Sequence, residues 1–153
     1  MTIAQRLNEL GVTLPPAAAP GGNYTPANRV GDLLFLAGQL PTLEGTLVTV
    51  GKVGADVTIE QAQEAAGIAA LNALAAAAAA LDGGLDAIEK VARTTVYVNA
   101  VPDFDQQSLV ANGASDLLVS ILGDAGRHAR SAIGVGSLPR NAPVEVELTL
   151  HVR

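Results

Sequence analysis

Two strand patterns follow one another in residues 130–152, RSAIGVGSLPRNAPVEVELTLHV, and this stretch decides the fold. In its second half, apolar and polar side chains alternate, which is typical of a strand with one buried face. The apolar positions are Val144, Val146, Leu148, Leu150 and Val152, and the polar positions are Glu145, Glu147, Thr149 and His151. In its first half, Ile133 and Val135 share one side, and Arg130 shares the other with small residues only. The prolines between the halves predict a loop.

Arg130 and Glu145 place charge on these strands, and their periodicity leaves two interpretations open. One is a solvated strand face with a weak ion pair. The other is a binding site, because the small neighbours of Arg130, namely Ala132, Gly134 and Gly136, leave space beside its guanidinium group.

The spacing of the charged residues resembles the C-terminal signature of the YjgF family, also called RidA or reactive intermediate deaminases. The resemblance lies in ARS-x6-LP-x4-VEVE, residues 129–147. It implies that Arg130 binds the carboxylate of the substrate and that Glu145, the first Glu of the closing strand, lies in the same cleft. It also implies an α+β, chorismate-mutase-like and ferredoxin-like domain. Such domains assemble as trimers, with their sheets facing inward and three clefts between subunits.

The composition favours one folded, soluble domain and excludes several classes of function. With 153 residues, 49% of them hydrophobic, the chain can form a core, and we expect a single domain over residues 1–153. The net charge of −6 and the presence of only two lysines argue against nucleic acid as a partner. Cysteine is absent, which excludes thiolate chemistry. The N-terminus lacks a signal-peptide pattern and no apolar run reaches membrane-spanning length, so a cytoplasmic protein without membrane contacts is predicted.

Residues 1–23 are predicted to form an N-terminal helix and an extended arm. Thr2 and Gln5 have the spacing of a capping box for a helix from Ile3 to Leu10, which Gly11 would end. The segment after it, LPPAAAPGGNY, contains three prolines and two glycines, and this composition excludes regular structure. An arm of this kind needs a surface to lie on.

Leu33 to Ala37 is a continuous apolar run, which predicts a strand covered on both faces. The chain's own helices can cover one face, and an oligomer interface is the simplest cover for the other. The surrounding segment, GGNYTPANRVGDLLFLAGQLP, resembles the N-terminal segment of the family, with Tyr24 matching the cleft tyrosine and Gly38 the end of the strand. From the residues alone, Tyr24 is better explained as a rim residue with a buried ring and a hydrated hydroxyl.

The next segment predicts a loop and a long helix. Residues 42–55, with three glycines, indicate a loop that can hold an edge hairpin. Thr58 and Gln61 form a second capping box, which begins a helix that runs to about Leu81. The apolar stripe of this helix excludes Asn72.

A strand and a second helix follow. Residues 91–100 alternate, with Ala92, Thr94, Val96 and Val98 predicted on one face and Arg93, Thr95, Tyr97 and Asn99 on the other. The helix is predicted from about Gln106 to Leu122, with Gly123 ending it. The block ARTTVYVNAVPDF…VANGASDLL resembles the corresponding strand and helix of the family, and Asn112 matches an asparagine that commonly lines its cleft. An insertion before Asn112 and the longer N-terminus resemble a longer subgroup of the family.

The order of elements predicts an antiparallel-rich sheet with both long helices on one side. Arg130, Glu145 and Glu147 are predicted on the other side, away from the helices. The relative register of the last two strands does not follow from the sequence. Because the second face carries both apolar and charged residues, we expect a homotrimer whose sites are completed across subunit boundaries.

Other motifs predict no site. The two histidines, His128 and His151, are far apart and lack a ligand pattern, so no metal and no cofactor is expected. Ser131 has no recognisable Ser/His/Asp constellation, which argues against a serine nucleophile.

The resemblance implies an enzyme that hydrolyses small imines or enamines derived from 2-amino acids, giving 2-keto acids and ammonia. Arg130 would bind the carboxylate of the substrate, and Glu145 would hold or polarise the attacking water. Tyr24, Asn112 and Gly38 would complete the substrate-binding site.

Two residues depart from the pattern of the family. Ala132 stands where many deaminases have Cys, and Ala37 stands where many have Ser. Two alternative functions therefore stay open. One is a non-catalytic module that binds small carboxylate-bearing metabolites, and the other is the endoribonuclease or translation inhibitor of older family labels.

Overall fold

A five-stranded mixed sheet forms the centre of the protein in a computed structural model that describes residues 1–153. In spatial order, its strands are β1 (Ala27–Val30), β2 (Leu33–Leu36), β7 (Val144–Val152), β5 (Ile88–Asn99) and β6 (Ala129–Val135). Neighbouring strands are antiparallel except for β5 and β6, which are parallel because a helix connects them. Two short strands, β3 (Thr42–Leu43) and β4 (Thr46–Leu47), form a separate hairpin.

Two long helices cover one face of this sheet. They are α2 (Ile59–Ala80) and α3 (Gln107–Leu122), which also pack against each other, while the short α1 (Ile3–Leu10) packs on α3. Nine of the eleven buried residues of α2 are alanines, whose small side chains allow close packing. None of the helices combines the length and hydrophobicity that a membrane span needs. The predicted α+β architecture, with both long helices on one face, is confirmed.

The helix ends follow the predicted signals. At α1 the Thr2 hydroxyl accepts a bond from the backbone N–H of Gln5, and the Gln5 side chain accepts one from Thr2. Gly11 then ends the helix with φ of 65°. A capping box of the same kind begins α2, and α3 ends at Gly123 with φ of 62°. Because each signal acts over only a few residues, the sequence was sufficient to place these ends.

The prediction that Asn72 lies outside the packed stripe of α2 is wrong. Asn72 is buried, and its Nδ2 donates to the carbonyl oxygens of Leu40 at 3.0 Å and Thr42 at 2.9 Å. These two bonds hold the entrance of the β3–β4 hairpin against α2. The hairpin itself lies in the predicted segment, but it forms its own ladder and does not extend the main sheet.

The predicted faces of β5 are wrong at its beginning. Ala92 is exposed, although the alternation places it on the same face as the buried Thr94. A register shift between Val91 and Arg93, typical of a β-bulge, interrupts the alternation there. At the other end, Asn99 is fully buried under a loop. The sequence pattern also misses β1, whose residues ANRV show no alternation and which joins the sheet by pairing with β2.

The face of the sheet turned away from the helices is open in a single chain. Three apolar side chains are exposed there, with relative exposures of 60% for Val30, 43% for Phe35 and 45% for Ile133. Leu34 and Leu36, on the same strand as Phe35, are buried on the helix side. A single chain therefore covers only one face of β2, and the second cover predicted for this strand stays a prediction.

Candidate functional site

Arg130 lies on the helix-covered side of the sheet, so the prediction that it lies away from the helices is wrong. In the ladder it is opposite Thr94, which is opposite the buried Leu148. On this side β6 carries the small residues Ala132 and Gly134 beside Arg130, and a Cβ on Gly134 would lie 3.1 Å from the Gln107 side chain at the start of α3.

Three acceptors from α3 hold the guanidinium group of Arg130. Nη1 donates to Asn112 Oδ1 at 2.9 Å and to Ser115 Oγ at 3.1 Å, and Nη2 donates to the Ser108 carbonyl at 3.3 Å. We call Arg130, Asn112, Ser115 and Ser108 the arginine cluster. The acceptors are spaced by four and three residues, so they lie along one face of the helix. The predicted site residues Arg130 and Asn112 are thus in contact.

The charge of Arg130 has no acidic partner. The three ion pairs of the chain are Arg127–Asp124, His151–Asp32 and Arg153–Glu89. Of the five N–H donors of the half-buried guanidinium group, two remain free, on Nε and on Nη2. Neighbouring donors of this kind match the two oxygens of a carboxylate.

Glu145 lies on the opposite, open face of the sheet. It pairs with Tyr97 in the ladder and is half-buried beside Gly38. A Cβ on Gly38 would lie 2.1 Å from Glu145 Oε1, so the carboxyl group occupies the space that a side chain at position 38 would need. Burial, with a smaller contribution from the charge of Glu147, raises the pKa of Glu145 above its usual 4.5. A carboxylate with a raised pKa is a stronger proton acceptor.

A second carboxylate lies on the same face, two residues further along β7. The Tyr97 hydroxyl donates to Glu147 Oε1 at 2.6 Å, and this bond, together with burial, raises the pKa of Tyr97 to about 12. Tyr97 therefore stays protonated and holds Glu147 in place. Tyr97 is not among the predicted site residues, and only the β5–β7 register could have indicated it.

The N-terminal arm closes a cavity of about 790 Å³ in front of Glu145. Tyr24, Gly38 and Glu145 line it, and we call these three residues the acid pocket. Residues 15–21 of the arm form one wall. The Tyr24 hydroxyl accepts a bond from the backbone of Gly21 at 3.1 Å, so it points back to the arm.

Arg140 is a further lining residue that is not among the predicted site residues. Its backbone lies in the left-handed region with φ of 59°, and Asn141 follows with φ of 57°. Nη2 of Arg140 donates to the carbonyl of Gly45 at 2.9 Å, which ties the loop to the β3–β4 hairpin. The strained backbone is held by contacts that a sequence pattern does not contain.

One chain therefore brings the predicted site residues together in two groups. The acid pocket and the arginine cluster lie on opposite faces of the sheet, so Arg130 and Glu145 do not share a cleft within one subunit.

Residues 4–151 match the family described as "YjgF/chorismate_mutase-like, putative endoribonuclease". The chain belongs to the YjgF/RidA family. It is 44% identical over 151 residues to protein TCP17 of Trypanosoma cruzi, an alignment that covers 98% of this chain and 94% of that protein. The crystal structure of protein Atu1372 from Agrobacterium tumefaciens is 46% identical, with a TM-score of 0.92 over 99% of this chain and 92% of that one. RidA from an Antarctic Psychrobacter is more distant, with 27% identity and a TM-score of 0.59, covering 91% and 94% of the two chains.

Proposed function

We propose that this YjgF/RidA-family protein hydrolyses small imines or enamines derived from 2-amino acids, giving 2-keto acids and ammonia. The observation that carries the proposal is the state of Arg130. Its guanidinium group is half-buried, has no carboxylate partner and retains two unused donors. A buried charge without a counter-ion is costly, and an anionic ligand would offset that cost. The cytoplasmic location stays a prediction.

Arg130 would bind the carboxylate of the substrate through its Nε and Nη2 donors. The substrates of the proposed reaction keep the carboxylate of the parent amino acid, next to the carbon of the C=N bond. A two-bond contact fixes the plane of the carboxylate and thereby the position of that carbon.

Glu145 would accept the proton of the attacking water. In the proposed reaction, water adds to the carbon of the C=N bond while its proton passes to Glu145. Glu145 then passes this proton to the nitrogen, which gives a neutral carbinolamine. It next accepts the proton of the new hydroxyl group as the C–N bond breaks, and the departing nitrogen takes that proton, so that the keto acid and ammonia are released. The raised pKa of Glu145 supports these transfers, because a carboxyl group whose pKa lies closer to the pH of the reaction both accepts and releases a proton more readily.

The two groups would meet between subunits of a homotrimer. We propose that the arginine cluster of one chain meets the acid pocket of a second, because one chain separates them by the thickness of the sheet. The exposed apolar side chains of the open face, Val30, Phe35 and Ile133, support an interface there. Burying apolar area contributes roughly 25 cal/mol per Å².

A non-catalytic carboxylate-binding module is the second candidate. Ala37 and Ala132 support it, since they leave the site with fewer polar groups than many deaminases have. This module would use the same Arg130 contact without turnover. The net charge of −6 remains an argument against the endoribonuclease function of older labels.

An amino-acid oxidase assay tests the proposal. Purified protein should accelerate the release of keto acid from the imine that the oxidase forms, and Arg130→Ala should abolish the acceleration. Arg127→Ala is the matched control, because Arg127 is exposed and contacts only Asp124. Carboxylate binding without turnover would favour the binding module, and RNA cleavage that survives repurification would favour the nuclease.

Mixed oligomers test where the site lies. Light scattering should give three times the chain mass of 15.4 kDa. Inactive Arg130→Ala and inactive Tyr24→Ala chains should regain part of the activity when mixed, since some sites then receive both intact groups. A monomer with full activity would refute the shared site.

A further inference from the structure

His128 lies between a backbone carbonyl and the serine that contacts Arg130. Its Nδ1 is 2.5 Å from the Gly126 carbonyl oxygen, and its Nε2 is 2.9 Å from Ser115 Oγ. The same Ser115 Oγ accepts a bond from Nη1 of Arg130. The histidine is therefore connected to the proposed carboxylate site through a single hydroxyl group.

The groups at the two ends of this hydrogen-bond network determine which atom donates and which accepts in each bond. The Gly126 carbonyl can only accept, so Nδ1 of His128 must carry a hydrogen. In the neutral ring, Nε2 then has no hydrogen and can only accept. The Ser115 hydroxyl must therefore donate its single hydrogen to His128, which leaves its oxygen as an acceptor for Arg130.

The turn that carries His128 is fixed by packing. Gly126 is buried, and a Cβ on it would lie 2.4 Å from the Leu118 carbonyl oxygen, so the turn rests directly on the backbone of α3. The Gly126 carbonyl group, which accepts the bond from Nδ1, is therefore held in a fixed position relative to α3. Ser115 and Asn112 belong to the same helix, so α3 fixes both ends of the network.

We propose that Ser115 and His128 are positioning residues that orient Arg130 for the carboxylate of the substrate. They keep an acceptor on the Nη1 side of the guanidinium group, together with Asn112, so that the Nε and Nη2 donors remain for the ligand. Without the acceptor, Nη1 would keep an unpaired donor, and the side chain could rotate toward other acceptors. The inference rests on the proposed role of Arg130 in binding a carboxylate.

A serine hydrogen-bonded to a histidine also fits a nucleophile and its base, but this geometry argues against that role. The Ser115 oxygen accepts a bond from a guanidinium group, which withdraws electron density and occupies a lone pair. A serine nucleophile needs an electron-rich oxygen, and this bond makes the Ser115 oxygen a weaker one. Stoichiometric acylation of Ser115 by an activated ester would overturn the positioning role.

Carboxylate affinity gives the first test, with pyruvate and 2-oxobutyrate as probes in calorimetry. Ser115→Ala should raise the Kd about tenfold, the loss typical for one hydrogen bond to a charged group. Its KM for the imine should rise by a similar factor, while kcat changes by less than about threefold. Ser115→Thr keeps the hydroxyl and should stay near the wild-type Kd.

A pair of histidine variants supplies the matched control. His128→Phe keeps a ring but removes both nitrogens, and it should weaken binding as Ser115→Ala does. His151→Phe should have no effect, because His151 contacts only Asp32 at the far end of β7. Equal binding by the wild type, Ser115→Ala and His128→Phe would overturn the positioning role and leave the proposed function intact. No binding by the wild type would overturn both.

Nitrogen NMR of the histidine rings gives a test that does not depend on activity. The neutral ring of His128 should carry its hydrogen on Nδ1, and addition of pyruvate should shift its Nε2 signal, because the ligand and the ring share Arg130 and Ser115. The same addition to Ser115→Ala should leave that signal unchanged. A neutral ring with its hydrogen on Nε2 would refute the network itself.

Discussion

Gly38→Ala should reduce turnover strongly while leaving the fold almost unchanged. The added Cβ would lie 2.1 Å from Glu145 Oε1 and 2.9 Å from its Cδ. The carboxyl group must then retreat by more than about 1 Å to reach a normal van der Waals separation. A displacement of this size in a reacting group can cost about 100-fold in rate. We therefore expect kcat/KM to fall by about that factor in the oxidase-coupled assay.

The stability of the same variant should change little, by less than about 1 kcal/mol. The atom that must move is the end of a flexible side chain, and the backbone of Gly38 is not in the left-handed region, so alanine also restricts the unfolded chain slightly. Gly113→Ala is the contrasting control. There the Cβ would lie 2.0 Å from the Gln63 carbonyl oxygen, a backbone atom, so α2 and α3 must separate. We expect a loss of about 1–3 kcal/mol in urea unfolding.

Two results would refute this reasoning. If Gly38→Ala retains full turnover, the position of the Glu145 carboxyl group does not matter and its role as proton acceptor is wrong. If Gly38→Ala loses as much stability as Gly113→Ala, the Glu145 side chain is held too firmly to move aside, and the expected small loss of stability is wrong.

Three further predictions concern groups buried near the site. Thr94 is fully buried and its hydroxyl has no partner, so Thr94→Val should raise the free energy of unfolding by about 1 kcal/mol, and a decrease in urea unfolding would show that the hydroxyl has a partner. Because the pKa of Glu145 is raised, the stability that its protonated form contributes below pH 4.5 is lost as the pH rises through the raised pKa. Glu145→Gln should therefore gain stability relative to the wild type over this range. A difference in unfolding free energy that stays constant with pH would contradict the raised pKa. In Tyr24→Phe the one remaining tyrosine is Tyr97, which should ionise near pH 12 in an ultraviolet titration. The stabilising effect of its bond to Glu147 should be lost as the pH rises through 12. A titration midpoint near pH 10 would argue against that bond.

The sequence predicts the parts of this fold that short-range chemistry determines. The capping boxes at Thr2 and Thr58 and the glycine after α3 act within one helical turn, and the structure confirms them. The predictions that are wrong concern features that depend on contacts between residues far apart in the sequence. Asn72 is buried because carbonyl groups from the β3 region accept its hydrogens, and no pattern within α2 contains that information.

The face of Arg130 shows why a correct pattern can still give a wrong position. The alternation of β6 correctly separates Arg130, Ala132 and Gly134 from Ile133 and Val135. It does not say which side the helix covers. Here the side that α3 covers carries Arg130 with two small residues, while Ile133 lies exposed on the other side. The family resemblance names Arg130 and Glu145 but does not give their faces, and the register of β5 with β6 and β7 supplies them.

Because the arginine cluster and the acid pocket lie on opposite faces of the sheet, carboxylate binding and turnover should depend differently on subunit assembly. The arginine cluster is complete within one chain, since Asn112, Ser115 and the Ser108 carbonyl all belong to α3. The proposed carboxylate binding would therefore need only that chain and the network that ends at His128. The proposed proton transfer would need Glu145, which the same chain places on the far face of its sheet. If the proposed shared site is correct, substitutions in the subunit interface should reduce turnover before they weaken carboxylate binding, whereas substitutions along α3 should weaken binding first.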